Sequence, residues 1–254
     1  IDRHPGVDLR LETTAEAIVE NGDHAVISTN NGDLRAKIVF DGRNRGENHL
    51  QRGCLLQHYL GQQIRTAEPV FTPGTVTLMD FDVNQRHGIA FVYVLPFSAH
   101  EALVEPTVFS PAPLAPDVYA VAIRDYLRDR FGVCEYQVRF QEQGIIPMSA
   151  ASPAPPTARI VPIGTAAGRV RGSTGYGFLP IQKHSREVAG DVAAGRIVRR
   201  RPARSRWTAF LDQVFLAYLE RHPRDAPGMF FNLFERVAPD RLVRFLSERA
   251  RPAD

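Results

Sequence analysis

Over the first forty residues, short runs rich in Val and Ile alternate with turn residues. The runs cover residues 7–11, 17–19, 25–29 and 37–40, and Asn21-Gly22-Asp23 and Asn30-Asn31-Gly32 lie between them. Asn and Gly tolerate the positive φ of tight hairpins, so this stretch predicts a small antiparallel β unit. From residue 51 to residue 140 the runs lengthen and alternate. Val76, Leu78, Phe81 and Val83, then residues 90–95, then residues 102–109 predict a sheet of three or more antiparallel strands. Val121, Ala122, Tyr126 and Leu127 recur at helical spacing, which predicts a helix over 119–131 with Asp117 as its N-cap. Residues 133–140 return to strand, and residues 144–148 start a separate return segment. Ser152-Pro153-Ala154-Pro155-Pro156 is a stiff link, because proline fixes φ and restricts its predecessor. Beyond it come an apolar strand at 159–163, a small-residue loop and a helix reaching residue 195. The last fifty residues read as helical. Trp207, Phe210, Leu211, Val214, Phe215, Tyr218 and Leu219 make one broad apolar face that Pro223 ends, and further apolar patches follow at 228–234 and at Leu242, Phe245 and Leu246.

With 44% hydrophobic residues among 254, the chain has enough apolar material for one sizeable core or two modest ones. The net charge of +3 demands no nucleic-acid partner, and none is expected. Cys54 and Cys134 make no metal-binding spacing and no disulfide framework, which fits a reducing, cytoplasmic side. The longest apolar run, 89–98, is half the ~20 residues a membrane-crossing helix needs. The opening IDRHPGVDLR is no signal peptide, and the natural N-terminus is expected to lie ahead of Ile1. Residues 196–206 hold six arginines. Two readings stay open for this run: a phosphate-binding patch for lipid or nucleic acid, or a solvated loop. The Met and Phe residues of the C-terminal region are likewise either core or a membrane-facing surface.

The most informative stretch is 163–182, IGTAAGRVRGSTGYGFLPIQ. Glycine lets the main chain approach a ligand closely, and a helix start presents unpaired N–H groups that favour an anion. The same residues also suit a loop that packs a helix tightly on a strand. No G-x-G-x-x-G occurs in the chain. Asp41-Gly42 ends a strand, where ligands bind in open α/β sheets, and it also reads as a simple turn.

The IGTAAG and STGYGF runs resemble the flavin-contacting segment of the flavin-dependent lycopene β-cyclase family. In the same order as in that family come VFDGR, LLQHYLGQQIRT, TLMDFDVNQ, FVYVLPFS, ALVEPTVFS and GIIPM. The resemblance implies a mixed α+β and α/β fold of the flavin hydroxylase type: a partial, Rossmann-like FAD-binding domain, an antiparallel-sheet substrate domain and C-terminal helices. The expected division is 1–43 for a partial FAD-domain β unit and 44–154 for the substrate domain, a sheet roofed by one helix. Residues 155–195 would return to the FAD domain, and 196–254 would form a helical region. The missing dinucleotide fingerprint is expected in roughly another hundred residues or more before Ile1.

What the resemblance implies about function is isomerisation of linear lycopene, or a related carotene, to β-ionone rings. Reduced FAD would be the cofactor and NAD(P)H its reductant, with the protein peripheral to the cytoplasmic face of a bacterial inner membrane. Asp41, Gly164, Thr165 and Gly168 would lie along the cofactor. The amides of Ser173, Thr174, Gly175, Tyr176 and Gly177 would face an anionic flavin. Protonating an alkene needs a carboxyl group kept protonated by an apolar setting. Glu105 in LVEPT matches the family's acidic position, with Asp80 and then Asp82 as alternatives. Pro106 departs from the family pattern and suggests an edge strand or a bulge. Two rivals remain: a flavin monooxygenase or reductase on the same scaffold, and a non-catalytic module binding anionic lipid or nucleic acid.

Overall fold

The computed structural model describes residues 6–43, 54–149, 156–196, 205–246 and 249. In chain order the strands are β1 (Ala15–Asn21), β2 (His24–Thr29), β3 (Leu34–Ala36), β4 (Val39–Asp41), β5 (Leu55–Arg65), β6 (Thr77–Asp80), β7 (Ile89–Pro96), β8 (Glu101–Ser110), β9 (Gln137–Met148) and β10 (Ile160–Pro162). The helices are α1 (Pro116–Phe131), α2 (Phe178–Ala193), α3 (Arg206–Arg221), α4 (Ala226–Arg236) and α5 (Pro239–Leu246). Two compact units share them. The first is Ile1–Asn44, Ser152–Val170 and Gly177–Ala203; the second is Arg45–Ala151, Arg171–Tyr176 and Arg204–Asp254. The C-terminal helices therefore belong with the large sheet and form no region of their own.

In the first unit, β1, β2 and β3 form the expected antiparallel sheet, joined through Gly22 in the left-handed region. Residues 7–11 are not a strand. Val7, Leu9 and Leu11 are exposed, with no neighbouring strand to pair with. β4 pairs in parallel with β10, and Val161 of β10 packs in a small core with Val188 of α2. Parallel pairing needs a crossover connection, and here everything between residues 41 and 160 is that connection.

The second unit is built on a five-stranded antiparallel sheet in the order β6-β7-β8-β5-β9. Side chains alternate across a strand, so each strand feeds two cores. On one face Leu60, Ile64, Val92, Val94, Val104 and Val108 pack against Tyr119, Ile123, Tyr126 and Leu127 of α1. On the other, Leu55, Ile89, Phe91, Phe109 and Met148 pack against Leu216 and Leu219 of α3 and Phe230 of α4. Each such side chain, fully buried, contributes about 1.5–3 kcal/mol. The sheet is thus covered on both faces, whereas the sequence suggested one roofing helix. Residues 137–148 form one continuous strand, because β9 pairs with β5 along its whole length. Pro106 sits on the inner strand β8, not on an edge.

The sequence also misplaces two helix details. α1 starts two residues earlier than an Asp117 cap would allow: Ala115 is the cap residue, Pro116 opens the helix with its preset φ, and Asp117 lies in the first turn. Ser205 caps α3 by accepting from Thr208 N–H. The apolar face of α3 is split, since the buried side includes Thr208 and Asp212 while Trp207, Phe210, Val214 and Tyr218 are exposed. Asp212 turns the helix this way because it meets a buried arginine, described below.

A one-directional chain of hydrogen bonds fastens the β8–α1 connection to the sheet. Leu114 N–H donates to the Tyr119 hydroxyl at 3.3 Å, which donates to His58 Nδ1 at 2.5 Å. His58 Nε2–H donates to Ser110 Oγ at 2.8 Å, and Ser110 donates to the Ala112 carbonyl at 2.6 Å. Every donor is used once, which requires a neutral imidazole protonated on Nε2. Burial holds the His58 pKa down to about 4, from an ordinary 6.5. The unfolded chain therefore binds a proton between these values that the folded chain does not, and stability falls as pH drops from 6.5 towards 4. In His58→Gln, urea unfolding midpoints measured across that range should lose this component of acid sensitivity; an unchanged slope would contradict the neutral-imidazole assignment.

Candidate functional site

Alternation along β8 places Glu105 on the sheet face shared with Phe109 and Leu103, opposite the α1 face. Its cross-strand partner on β7 is Tyr93. On the other side, the ladder between β5 and β8 runs from Arg65↔Glu101 to Gln62↔Val104 and resumes at Tyr59↔Thr107. The interruption falls opposite Pro106, which has no N–H to give. Within it lies Gly61, where an added Cβ would stand 3.1 Å from Leu103 Cδ1, 3.3 Å from Glu105 Oε2 and 3.4 Å from Glu142 Cγ. The missing side chain leaves the room that the Glu105 carboxyl occupies.

Burial raises the Glu105 pKa to about 7, and the neighbouring Glu142 carboxylate adds to the rise; a hydrogen bond from Thr107 Oγ1 at 3.3 Å works the other way. The Tyr93 and Tyr59 hydroxyls are pushed up as well, first by burial and then by Glu105. A carboxyl titrating near neutrality beside aromatic and aliphatic side chains can both give and take a proton.

Asp80, the alternative acid, is on the wrong face. It pairs across strands with Val92, on the α1 side, after a register shift between Thr77 and Asp80. Tyr126 donates to Asp80 Oδ2 at 2.9 Å, and Arg130 lies 3.4 Å from the same oxygen. Asp82 is exposed and holds Arg130 Nη2 at 2.6 Å. Both aspartates anchor the C-terminal half of α1 to the β6 edge.

In the first unit, the carboxyl ends of the parallel strands β4 and β10 lie side by side, with Ile163 N–H donating to the Asp41 carbonyl at 3.0 Å. The Asp41 side chain is buried and faces Arg43, which donates from Nε at 2.9 Å and from Nη2 at 3.0 Å; Arg43 also reaches the Ala15 carbonyl. Asp41 therefore stabilises its own turn. Residues Gly164–Ala167, with Thr165 among them, make one 3-10 turn closed by Gly168. Gly164 has φ 59, and no described residue lies within 4 Å of where its Cβ would be, so a ligand has room to approach its Cα. Gly177 is the N-cap of α2 and supplies no side-chain cap, which leaves the helix's first-turn N–H groups available to an anion. These features fit a phosphate-bearing, anionic cofactor such as FAD.

Residues 173–176 behave differently from the expected row of free amides. In the second unit, Gly175 N–H donates to the Arg171 carbonyl at 2.9 Å, and Tyr176 N–H points to Thr174 Oγ1 at 3.4 Å. Gly175 lies so close to the Gln57 side chain that a Cβ would collide with it. The fully buried Ser173 donates to Asp212 Oδ1 at 2.6 Å, and the same oxygen receives Arg171 Nε at 2.8 Å. The Arg171 guanidinium also stacks 4.0 Å from the Phe245 ring and donates to the Phe245 carbonyl. This network holds the turn on α3 and α5. The Gly175 and Tyr176 amides are thus engaged within the turn, while the start of α2 keeps first-turn N–H groups for a ligand.

A model of the lycopene cyclase protein family matches residues 5–254. The chain belongs to the lycopene cyclase family. Among curated lycopene β-cyclases, that of Paracoccus sp. (strain N81106 / MBIC 01143) is 37% identical over 169 residues, covering 64% of this chain and 41% of its own length. That of Pantoea ananas is 28% identical over 259 residues, covering 96% and 65% respectively. This lycopene cyclase family chain thus spans less than two thirds of those relatives. Its fold is similar to a geranylgeranyl bacteriochlorophyll reductase-like protein of Thermoplasma acidophilum (TM-score 0.52, 16% identity, 94% of this chain and 62% of that one). It is also similar to the flavin-dependent brominase Bmp2 (TM-score 0.53, 14% identity, 96% and 66%). The α+β architecture is the one these two structures share.

Sequence reading missed Tyr93, Tyr59, Gly61 and Glu142, because only the strand register brings them to Glu105. Of the arginine run, residues 197–204 lie outside the described residues, as do 152–155 of the proline-rich link. Arg196 is held by Asp191 at 3.0 Å. The buried pair of this lycopene cyclase family member gives a stability test. Asp212→Ala leaves Arg171 charged and buried, and should cost about 3–5 kcal/mol, whereas replacing both by apolar residues of similar volume should cost far less. Denaturant titration of the three proteins checks it; a single variant no worse than the double one would contradict the pairing.

Proposed function

We propose that the whole protein is a lycopene β-cyclase, turning the linear ends of lycopene or a related carotene into β-ionone rings. The observation that carries this reading is Glu105, a family-motif carboxyl whose pKa burial lifts to about 7 on an apolar sheet face. In the reaction, the protonated Glu105 gives its proton to the terminal alkene. An internal alkene bonds to the resulting cation, and loss of a ring proton to the carboxylate restores neutrality. The product is an isomer, with no net oxidation. Phe91 and Phe109 are buried on the Glu105 face, and Tyr93 flanks the carboxyl from β7.

FAD fits the chain's own features. The Gly164 backbone and the start of α2 would hold its phosphate-bearing part, and the flavin, reduced at the expense of NAD(P)H, would supply negative charge that favours a cationic transition state. The substrate is dissolved in membrane, and we assign the protein a peripheral position on the cytoplasmic face of a bacterial inner membrane. The exposed stripe Trp207, Phe210, Val214 and Tyr218 on α3 supports such contact. No described helix is long and apolar enough to cross a membrane.

Two experiments test the reading. In the whole protein, Glu105→Gln should keep its bound flavin while ring formation falls by ~10²–10⁴-fold, the loss typical of a missing general acid or base. Asp80→Asn should cyclise nearly normally, and a product carrying added oxygen would favour a monooxygenase instead. Flotation with liposomes of anionic lipid should bring the whole protein to the top of the gradient, and Trp207→Ser with Phe210→Ser should weaken this. Protein left at the bottom would refute the membrane contact.

A further inference from the structure

Glu105 does not stand alone on its face of the sheet. Gly61 pairs with Glu142 on β9, the edge strand on the other side of β5. Because residue 61 has no side chain, Glu105 reaches over β5 from one side and Glu142 from the other: the vacant Cβ position lies within 3.3 Å of Glu105 Oε2 and 3.4 Å of Glu142 Cγ. A residue with a side chain here would stand between the two acids as a low-dielectric wall. Next along the same face, Gly144 has Tyr59 lying against it so closely that a Cβ would overlap the phenol, which sets that ring beside the acids.

We propose that Glu142 is a positioning residue that acts through Glu105: its carboxylate, facing Glu105 across Gly61, keeps Glu105 in the protonated form that the cyclisation needs. The proposal rests on the lycopene cyclase reading for its function, though not for its geometry. Two carboxylates this near in a partly buried setting cannot both ionise as easily as one, so the more buried member retains a proton to higher pH. Glu142 is exposed and Glu105 half-buried, which decides which acid keeps it. The direction agrees with the upward shift of Glu105, in which Glu142 is the second cause after burial.

The other groups facing Glu105 do not substitute for Glu142. Tyr93 from β7 and Tyr59 from β5 are held neutral by their raised pKa values. Thr107 on its own strand donates a hydrogen bond that favours the ionised form. Glu101 lies towards the far end of β8, where Gln63 donates to it at 2.5 Å, and it is paired across strands with Arg65. Glu142 is therefore the negative charge whose removal should be felt at residue 105.

Infrared titration of the whole protein tests this. The carboxylic C=O band that disappears in Glu105→Gln reports the Glu105 proton directly, and its midpoint is followed against pH. In Glu142→Gln the midpoint should move to lower pH, in Glu142→Lys it should move further in that direction, and Glu142→Asp should restore much of the wild-type value. Glu101→Gln should leave it in place. Where ring formation is measured alongside, its alkaline limb should move with the band. An unchanged midpoint in both Glu142→Gln and Glu142→Lys would overturn the pairing, with or without cyclisation. A shifted midpoint in a protein that forms no rings would uphold the pairing and overturn the proposed function.

Discussion

Covering the central sheet on both faces is the constraint from which the second unit follows. A strand side chain must point to one face or the other, so once α1 takes one face and α3 with α4 take the other, every residue of β5, β7 and β8 has a partner fixed by parity. A one-residue slip would exchange the two cores. It would also bring Glu105 to the α1 side, in place of Val104 and against side chains such as Val92 and Leu127. Glu105 and the core are therefore held by the same register, and Pro106 with Gly61 marks the place where the β5–β8 ladder gives way.

Two buried ionisable groups on this sheet bear opposite signs in the response to pH. His58 is locked neutral by four hydrogen bonds, and its depressed pKa makes acid destabilising. Glu105 has its pKa raised, so it holds a proton that the unfolded chain has lost by about pH 5. Its contribution is complete below 4.5 and fades as pH rises towards 7. The first group fastens the connection into α1; the second accepts, among the described residues, one long hydrogen bond from Thr107. That contrast separates a satisfied structural histidine from a carboxyl suited to the proposed proton transfer. A similar contrast separates Asp212, wholly enclosed with Arg171 and Ser173, from the open backbone at Gly164.

Much of this was legible in the chain. Asn-Gly turns gave the first hairpin, and helical spacing gave α1 and α3; Glu105 was singled out by the family resemblance of its E-x-T motif. What was not legible depends on long-range register. Asp80 is the second candidate acid in sequence, but the shift at Met79, which adopts φ 55, turns it to the α1 face. Glu142 is one polar residue among QEQG until β9 is laid against β5. Trp207 and Phe210 belong to an apolar face in the helical pattern, yet α3 turns Asp212 inwards, because burying one arginine demands one carboxylate more than it demands an aromatic ring.

The central claim is that a ring forms when Glu105, in exchange with solvent, delivers a proton to the carotene. It is tested most directly by running the whole protein with lycopene in deuterated water and weighing the product. The account predicts one deuterium gained for each ring formed, and no labelled rings above background from Glu105→Gln with its flavin bound and reduced. Rings that carry no solvent deuterium, or labelled rings formed at the wild-type rate by Glu105→Gln, would contradict it.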